Sequence, residues 1–403
     1  MINANFFGGN KIFGKPNKKY RDIKISYLNR IRWAVSMFYF GTGLCFASWA
    51  SRIPDIKTAL SLSNGQLGTA LFAIPIGQLS MMYFSGKLVT RFGSRQVLLY
   101  SIILYAFSLT NLGLATNGWQ LCIGLFFLGV FANLSNIAVN TQGVYVEGLY
   151  KRNIMTTFHG VWSLAGFTGA FIGIGMIALG ITPYIHFVAV AVVILLLVLF
   201  NVNFLIKSKN SIPSEKVKKT RKWDRSLFML GSIGFCSMAS EGIMFDWSGV
   251  YFKDVIQVSG SLVVLGYTSF MIMMASGRFL GDQLITQFGR KKVMQISGIM
   301  ISTGLLTAVL LPYIIPSTIA FMIVGVGVST IIPTLYSIAG RHPTIPTGEA
   351  LTAVSSVSFL GFLMGPPVIG AISELFGLRF SFAFISIFGF LIAFLVKRVK
   401  EME

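Results

Sequence analysis

Twelve stretches of this chain are apolar almost end to end, and each is about as long as a helix that crosses a bilayer. One of them, PYIHFVAVAVVILLLVLF (183–200), holds no acid, lysine or arginine at all. Hydrocarbon offers no water to the backbone, so a segment inside it must satisfy its own N–H and C=O groups, which a helix of about 20 residues does. The stretches lie near 32–51, 67–86, 96–115, 120–144, 157–180, 183–206, 226–250, 260–284, 293–312, 316–339, 350–372 and 378–396. With 54% apolar residues, 11% charged and a mean hydropathy of +0.73, an ordinary soluble domain is excluded. The expectation is an all-α membrane protein of twelve transmembrane helices.

A formal charge of +20 raises the question of a nucleic-acid partner, and its distribution answers it. With twelve spans, both termini and every second loop share one side. That side carries 28 lysines and arginines; the other carries four (Arg52, Lys57, Lys253, Arg379), and Arg278 falls inside a span. The bias follows the positive-inside rule, which places both termini in the cytoplasm. The basicity thus records topology, with contacts to anionic lipid headgroups and no nucleic-acid partner. The polar, basic head before the first long apolar run does not read as a cleavable signal peptide. Cys45, Cys122 and Cys236 all lie in apolar segments, without disulfide or metal spacing. There is no HExxH, G-x-S-x-G or P-loop, and His159, His186 and His342 are far apart. No catalytic residue, cofactor or metal is expected: the chain is not read as an enzyme.

The sequence also repeats itself. LVTRFGSRQV (88–97) aligns with LITQFGRKKV (284–293), and LGVFANLSN (128–136) with VGVGVSTII (324–332), both 196 residues later. FHGVWSLAGFTGAFIG (158–173) fits SSVSFLGFLMGPPVIG (355–370) at 197. A near-constant offset in three regions divides the chain into two six-helix bundles, 32–206 and 226–396. A basic segment (1–31) precedes them, a Lys-rich linker (207–225) joins them and a tail (397–403) follows. Parallel halves of this kind rock around a site at the bilayer midplane.

The turn GKLVTRFGSRQ (86–96) resembles the signature between the second and third helices of the major facilitator superfamily. Gly86, Arg91, Gly93 and Arg95 fit it, and Gly289 and Arg290 fit in the second copy, GDQLITQFGRKK (281–292). Thr90 and Thr286 stand where the superfamily usually has an acid. The resemblance implies two pseudo-symmetric bundles, with these six residues forming a conformational switch. ASWASRIPDI (47–56), FHGVWSLAG (158–166) and SEGIMFDW (240–247) resemble a poorly characterised bacterial inner-membrane branch of that superfamily, distantly similar to the fucose permease. There, a fourth-helix Glu precedes an Asn by four residues; here Asn136 and Asn140 hold that spacing, and the acid is missing.

Polar side chains inside lipid must face protein or a wet cavity. Asn133, Asn136 and Asn140 recur on one face of the fourth span, with Glu147 continuing it, and the repeat places Ser329 and Tyr336 opposite. These residues read either as cavity lining or as interhelical packing. Glu241 and Asp246 are about 140° apart around the seventh span, so they serve separate tasks. Asp246, near the outer end, reads as an ion-pair partner of Arg52 in a gate that forms when the outer side closes. Glu241, near the midplane, reads as a substrate or proton site. Arg278 is neutralised either by Asp282 at i+4 or by Glu241. Trp49 and Trp247 are expected as interfacial anchors. Taken together, the residues point to a secondary transporter, expected as a monomer, that moves a small polar organic solute by alternating access with protons in symport. Proton-coupled export and a non-transporting receptor are the alternatives.

Overall fold

The computed structural model describes residues 18–62, 64–207, 224–258, 262 and 265–399. Most of the Lys-rich linker and the first part of the basic head lie outside the described residues. The first half comprises α1 (Lys18–Ala59), α2 (Asn64–Leu71), α3 (Ala73–Phe92), α4 (Ser94–Leu112), α5 (Gly118–Tyr150), α6 (Met155–Ala178) and α7 (Pro183–Asn201). The second comprises α8 (Arg225–Val250), α9 (Leu265–Phe288), α10 (Arg290–Leu310), α11 (Ile314–Ser329), α12 (Ile331–Ala339), α13 (Thr347–Phe376) and α14 (Leu378–Val396). Among the described residues, eight helical segments are long and apolar enough to span by those measures alone. α1, α3, α4 and α9 are more polar and complete the twelve passes. The helix α1 begins at Lys18, so part of the basic segment expected ahead of the first span is helical.

Local chemistry sets the ends. Pro75 cannot donate to the carbonyl of Leu71, and the second pass breaks there into α2 and α3. Pro333 does the same to Ser329, dividing the tenth pass into α11 and α12. The side chain of Asn117 caps α5 by accepting from Gln120 N–H at 3.0 Å, and Asp224 caps α8 by accepting from Ser226 N–H at 2.8 Å. Gly93 and Gly289, the glycines of the repeated motif, have φ of +83° and +80°. Each joins two helices by a single residue in a conformation that a Cβ resists.

The internal repeat seen in the sequence is a repeat of packing. In the first half α1 packs on α6, α3 on α5, and α4 on α7; in the second, α8 packs on α13, α9 on α11, and α10 on α14. Between halves, α3 meets α13 and α9 meets α6, again as equivalents. A Cβ on Gly129 would lie 2.1 Å from the Ile74 carbonyl oxygen, and one on Gly325 would lie 2.4 Å from that of Phe270. Both pairs are 196 residues apart, so the same close crossing is built twice. Gly129→Ala and Gly325→Ala should each lower the thermal midpoint in detergent, at a cost of about 1–3 kcal/mol for overpacking. Gly148→Ala and Gly175→Ala, where an added Cβ meets nothing within 4 Å, should not.

Candidate functional site

At 1.5 Å per residue, Glu241 lies about 24 Å along α8 and Arg278 about 15 Å from the end of α9, both inside the hydrocarbon depth. Each is 7% exposed. Arg278 Nη2 donates to Glu241 Oε1 at 3.3 Å, and Arg278 Nη1 donates to Ser163 Oγ at 2.7 Å. Of the two partners open to Arg278 in the sequence, the structure selects Glu241. Ser163 belongs to α6, so one guanidinium joins an acid of the second half to a hydroxyl of the first. Arg278 Nε and the Oγ of Ser237, one turn before Glu241, are buried without a hydrogen-bond partner.

Next to this pair lies the asparagine stripe. Asn140 Nδ2 donates to Asn136 Oδ1 at 2.7 Å, and Asn140 Oδ1 accepts from the Tyr39 hydroxyl at 2.9 Å. His159 Nε2 is 3.1 Å from that same oxygen. The His159 ring faces Tyr336 of the second half, centroids 6.1 Å apart, and its carbonyl accepts from Ser163 Oγ at 3.1 Å. Asn136, Asn140, Tyr336, Glu241 and Arg278 therefore converge, connected through His159 and Ser163. Asn136 is exposed. Asn133 is different: it accepts from Ser85 Oγ at 2.7 Å and binds α3 to α5.

Toward the face that bears the termini, the halves are latched. Asp282 accepts from the N–H groups of Thr156 (3.2 Å) and Thr157 (2.8 Å) and from the Thr157 hydroxyl, so an acid of α9 caps the N-terminus of α6 across the interface. Glu147, fully buried, accepts from the N–H groups of Ile154 (2.9 Å) and Met155 (3.1 Å), from the Ser337 hydroxyl and from Arg341 Nη2 at 2.7 Å. Arg290 Nη2 donates to Asn153 Oδ1 at 2.7 Å and stands 4.0 Å from Glu147. Among the described residues, every hydrogen bond between halves lies from Ser163 toward this face. The molecule is closed here.

The other residues of the repeated motif make separate contacts. Arg95 donates to the Val202 carbonyl at 3.0 Å, Arg91 is exposed with its guanidinium 5.3 Å from the Phe92 ring, and Gly86 packs against Gly348 and Glu349 of α13. At the opposite end the structure does not bring Arg52 and Asp246 together. Arg52, 1% exposed, donates to Asp55 Oδ2 (2.5 Å), His186 Nδ1 (3.1 Å) and the Ile181 carbonyl (2.7 Å), all in its own half, while Asp246 is exposed. Trp49 is not an interfacial anchor: it is buried in the core, because α1 packs along α6 at that depth. Tyr39, Ser337 and Arg341 escaped the sequence reading. Tyr39 sits in an apolar run, and the other two meet Glu147 from 190 and 194 residues away, a separation that no local pattern reveals.

Removal of an N-cap side chain costs about 0.5–2 kcal/mol, and Asp282 caps α6 only while the halves are together. Asp282→Ala should therefore shift the closed-to-open ratio of this face by about two- to thirtyfold. Spin labels at the exposed positions Arg152 and Lys292 report it as a longer distance population; an unchanged distribution would show that the contact is not a latch.

The sequence profile of the Major Facilitator Superfamily matches residues 35–347. An uncharacterised MFS-type transporter of Yersinia pestis is 30% identical over 350 residues, 87% of this chain and 90% of that protein. The membrane protein MosC of Rhizobium meliloti is 29% identical over 368 residues, 89% and 88% of the two chains. Among solved structures, FucP in its outward conformation superposes with a TM-score of 0.80 at 15% identity, over 93% of this chain and 99% of that one. The proton:xylose symporter XylE gives 0.76 at 14%, over 93% and 96%. Such structural likeness shows the fold; the profile and the relatives show the lineage. The chain belongs to the major facilitator superfamily and is a membrane transporter of two six-helix halves.

Proposed function

We propose that this protein is a secondary active transporter that carries a small, hydroxyl-bearing organic solute, such as a sugar, together with a proton. It works in the bacterial cytoplasmic membrane with both termini inside, so the latched face is cytoplasmic and the state is outward-facing. The observation that carries this reading is the Glu241–Arg278 pair, buried at midplane between the halves beside Asn136 and Asn140. A buried ion pair is costly to assemble and rarely needed for stability alone. Here it offers a coupling device. While Glu241 is ionised it holds Arg278 Nη2; a proton on Glu241 dissolves the pair and turns Arg278 toward the solute. Arg278 Nε, Ser237 Oγ and the Asn136 amide supply further hydrogen bonds to hydroxyls, with Tyr336 walling the second half. Two neighbours of the same fold are named as proton symporters for fucose and xylose, which supports the solute class.

Release inward requires the latch to part and the outer end to close. Asp246, exposed on α8, and Arg52, held on α1, are proposed to meet in that closed outer state. The driving force suffices, since each proton gains about 2.3 kcal/mol per 100 mV of membrane potential. The test is reconstitution into vesicles with a pH-sensitive dye inside, against a panel of sugars and related solutes. Solute-dependent acidification is expected; proton exit would instead indicate export, and silence across the panel a receptor. Glu241→Gln should abolish the solute-dependent proton signal. The double variant Glu241→Gln with Arg278→Gln, which leaves no unpaired charge, should fold as the wild type does and remain uncoupled. Undiminished proton flux in Glu241→Gln would clear that residue of the role.

A further inference from the structure

Behind the latch, on the face that bears the termini, residues of the second half line an open cavity of about 140 Å³. Its walls include Ser226 and Leu230 from the first turns of α8, Arg290 at the start of α10, and Arg341 and His342 just beyond α12. We propose that this cavity binds a small oxyanion, phosphate or a phosphate-bearing headgroup, and that the bound anion loosens the latch.

The charge balance points there first. Arg290 and Arg341 share one carboxylate, Glu147, at 4.0 and 2.7 Å, so neither guanidinium at the cavity wall has an acid to itself. No acid lines the cavity among the described residues. The nearby Asp224 is committed, its Oδ1 to the N–H groups of Ser226 and Leu227 and its Oδ2 to His342 Nε2 at 3.5 Å. Hydrogen bonding points the same way. The Oγ of Ser226 is buried without a partner. Arg341 spends one nitrogen on Glu147, and its side chain is 41% exposed, so a fork of donors remains for a tetrahedral oxyanion. His342 Nδ1 accepts from the N–H groups of Thr344 (3.4 Å) and Ile345 (3.2 Å), which directs its Nε2 hydrogen to Asp224 and leaves it a wall rather than a ligand. The space also fits: at about 10–15 Å³ per water position, it holds roughly ten waters, enough for phosphate with part of its hydration.

The consequence follows from the shared arginines. An anion on Arg290 and Arg341 competes with Glu147, the only first-half acid that binds them among the described residues. Glu147 keeps its bonds to Ile154, Met155 and Ser337, so the latch weakens without vanishing. Anion level or headgroup composition at this face would then bias the transport cycle from outside the solute pathway.

Binding is read directly by ³¹P NMR of inorganic phosphate with the full-length protein in neutral detergent. Line broadening saturable by phosphate is expected for the wild type. Ser226→Asp, which puts a carboxylate into the cavity, and Arg341→Gln should each raise Kd by about tenfold or more, as loss of a charge-assisted bond implies. Ser226→Ala, the milder change, should weaken binding less. A second arm compares nanodiscs of phosphatidylcholine with and without phosphatidylglycerol, reading the Arg152–Lys292 spin-label distance. A phosphate response in detergent identifies a free oxyanion as the ligand; a lengthened distance only with phosphatidylglycerol identifies the headgroup, provided Ser226→Asp removes it. No response in either arm, or one that all three variants retain, overturns the site.

Discussion

Arg278 carries a charge that the hydrocarbon will not solvate, and the organisation of the site follows from how that charge is met. An uncompensated ion at this depth is far costlier than any single packing defect. The guanidinium answers with one bond to Glu241 in its own half and one to Ser163 in the other. Ser163 in turn donates to the His159 carbonyl, and the His159 ring reaches Asn140 and Tyr336. The polar groups at midplane are thus one connected set rather than several isolated tolerances, and both halves contribute to it. The bonds of Arg278 to Glu241 and to Ser163 therefore tie the state of this pair to the contact between halves. That property lets a small chemical event at the centre bear on a rigid-body rearrangement.

Much of this was legible before the coordinates. The length and apolarity of the runs, and the 196-residue offset, specify twelve passes in two matching bundles, because lipid leaves helices as the economical solution and a repeated sequence repeats its crossings. Gly129 against Ile74 and Gly325 against Phe270 show the repeat surviving at the level of single carbonyls. Helical spacing also brought Asn136, Asn140 and Tyr336 toward a common region, and depth brought Glu241 near Arg278. Periodicity gives a face and a depth, however, and not the identity of the neighbour there. The stripe that joins Asn133 to Asn140 is continuous in sequence, yet Asn133 is consumed by Ser85 while Asn136 stays open. Arg52 matches Asp246 in depth, and in this state Asp55 and His186 of its own half hold the guanidinium while Asp246 stays exposed. Trp49 was placed at the interface by its position along the helix, whereas its burial depends on which helices flank α1.

The acids of the switch motif carry a further lesson. Thr90 and Thr286 occupy the places where the superfamily usually has a carboxylate, so the sequence does not say which acid, if any, serves that turn. In the second half an acid stands one turn earlier, at Asp282, where it caps α6. In the first half the equivalent position is Gly86, and the acid stands on the facing helix: Glu349 lies in the first turn of α13, directly against that glycine. Both helix N-termini that meet at the closed face therefore have a carboxylate near their positive end.

The two arrangements are not energetically equal. Glu349 travels with α13, so separating the halves leaves its interaction with that helix terminus in place. Asp282 belongs to α9, so the same separation strips α6 of its cap and leaves the N–H groups of Thr156 and Thr157 to find water. The contact of α3 with α13 combines a glycine that admits a neighbouring backbone with Lys87 and Thr90 of α3 beside Glu349, while that of α9 with α6 rests on the Asp282 cap, which is lost on opening. Glu147 adds to the second kind, since its bonds to Ser337 and Arg341 also cross between halves. A pseudo-symmetric scaffold consequently closes with an asymmetric lock: the bonds that must break on opening centre on α6 and on the Glu147 end of α5, the same segment that presents Ser163 and His159 to the Arg278 site. Coupling between the midplane and the latch then needs no long relay. It requires only that α6 move as one rigid helix, with Ser163 about 12 Å from the capped end.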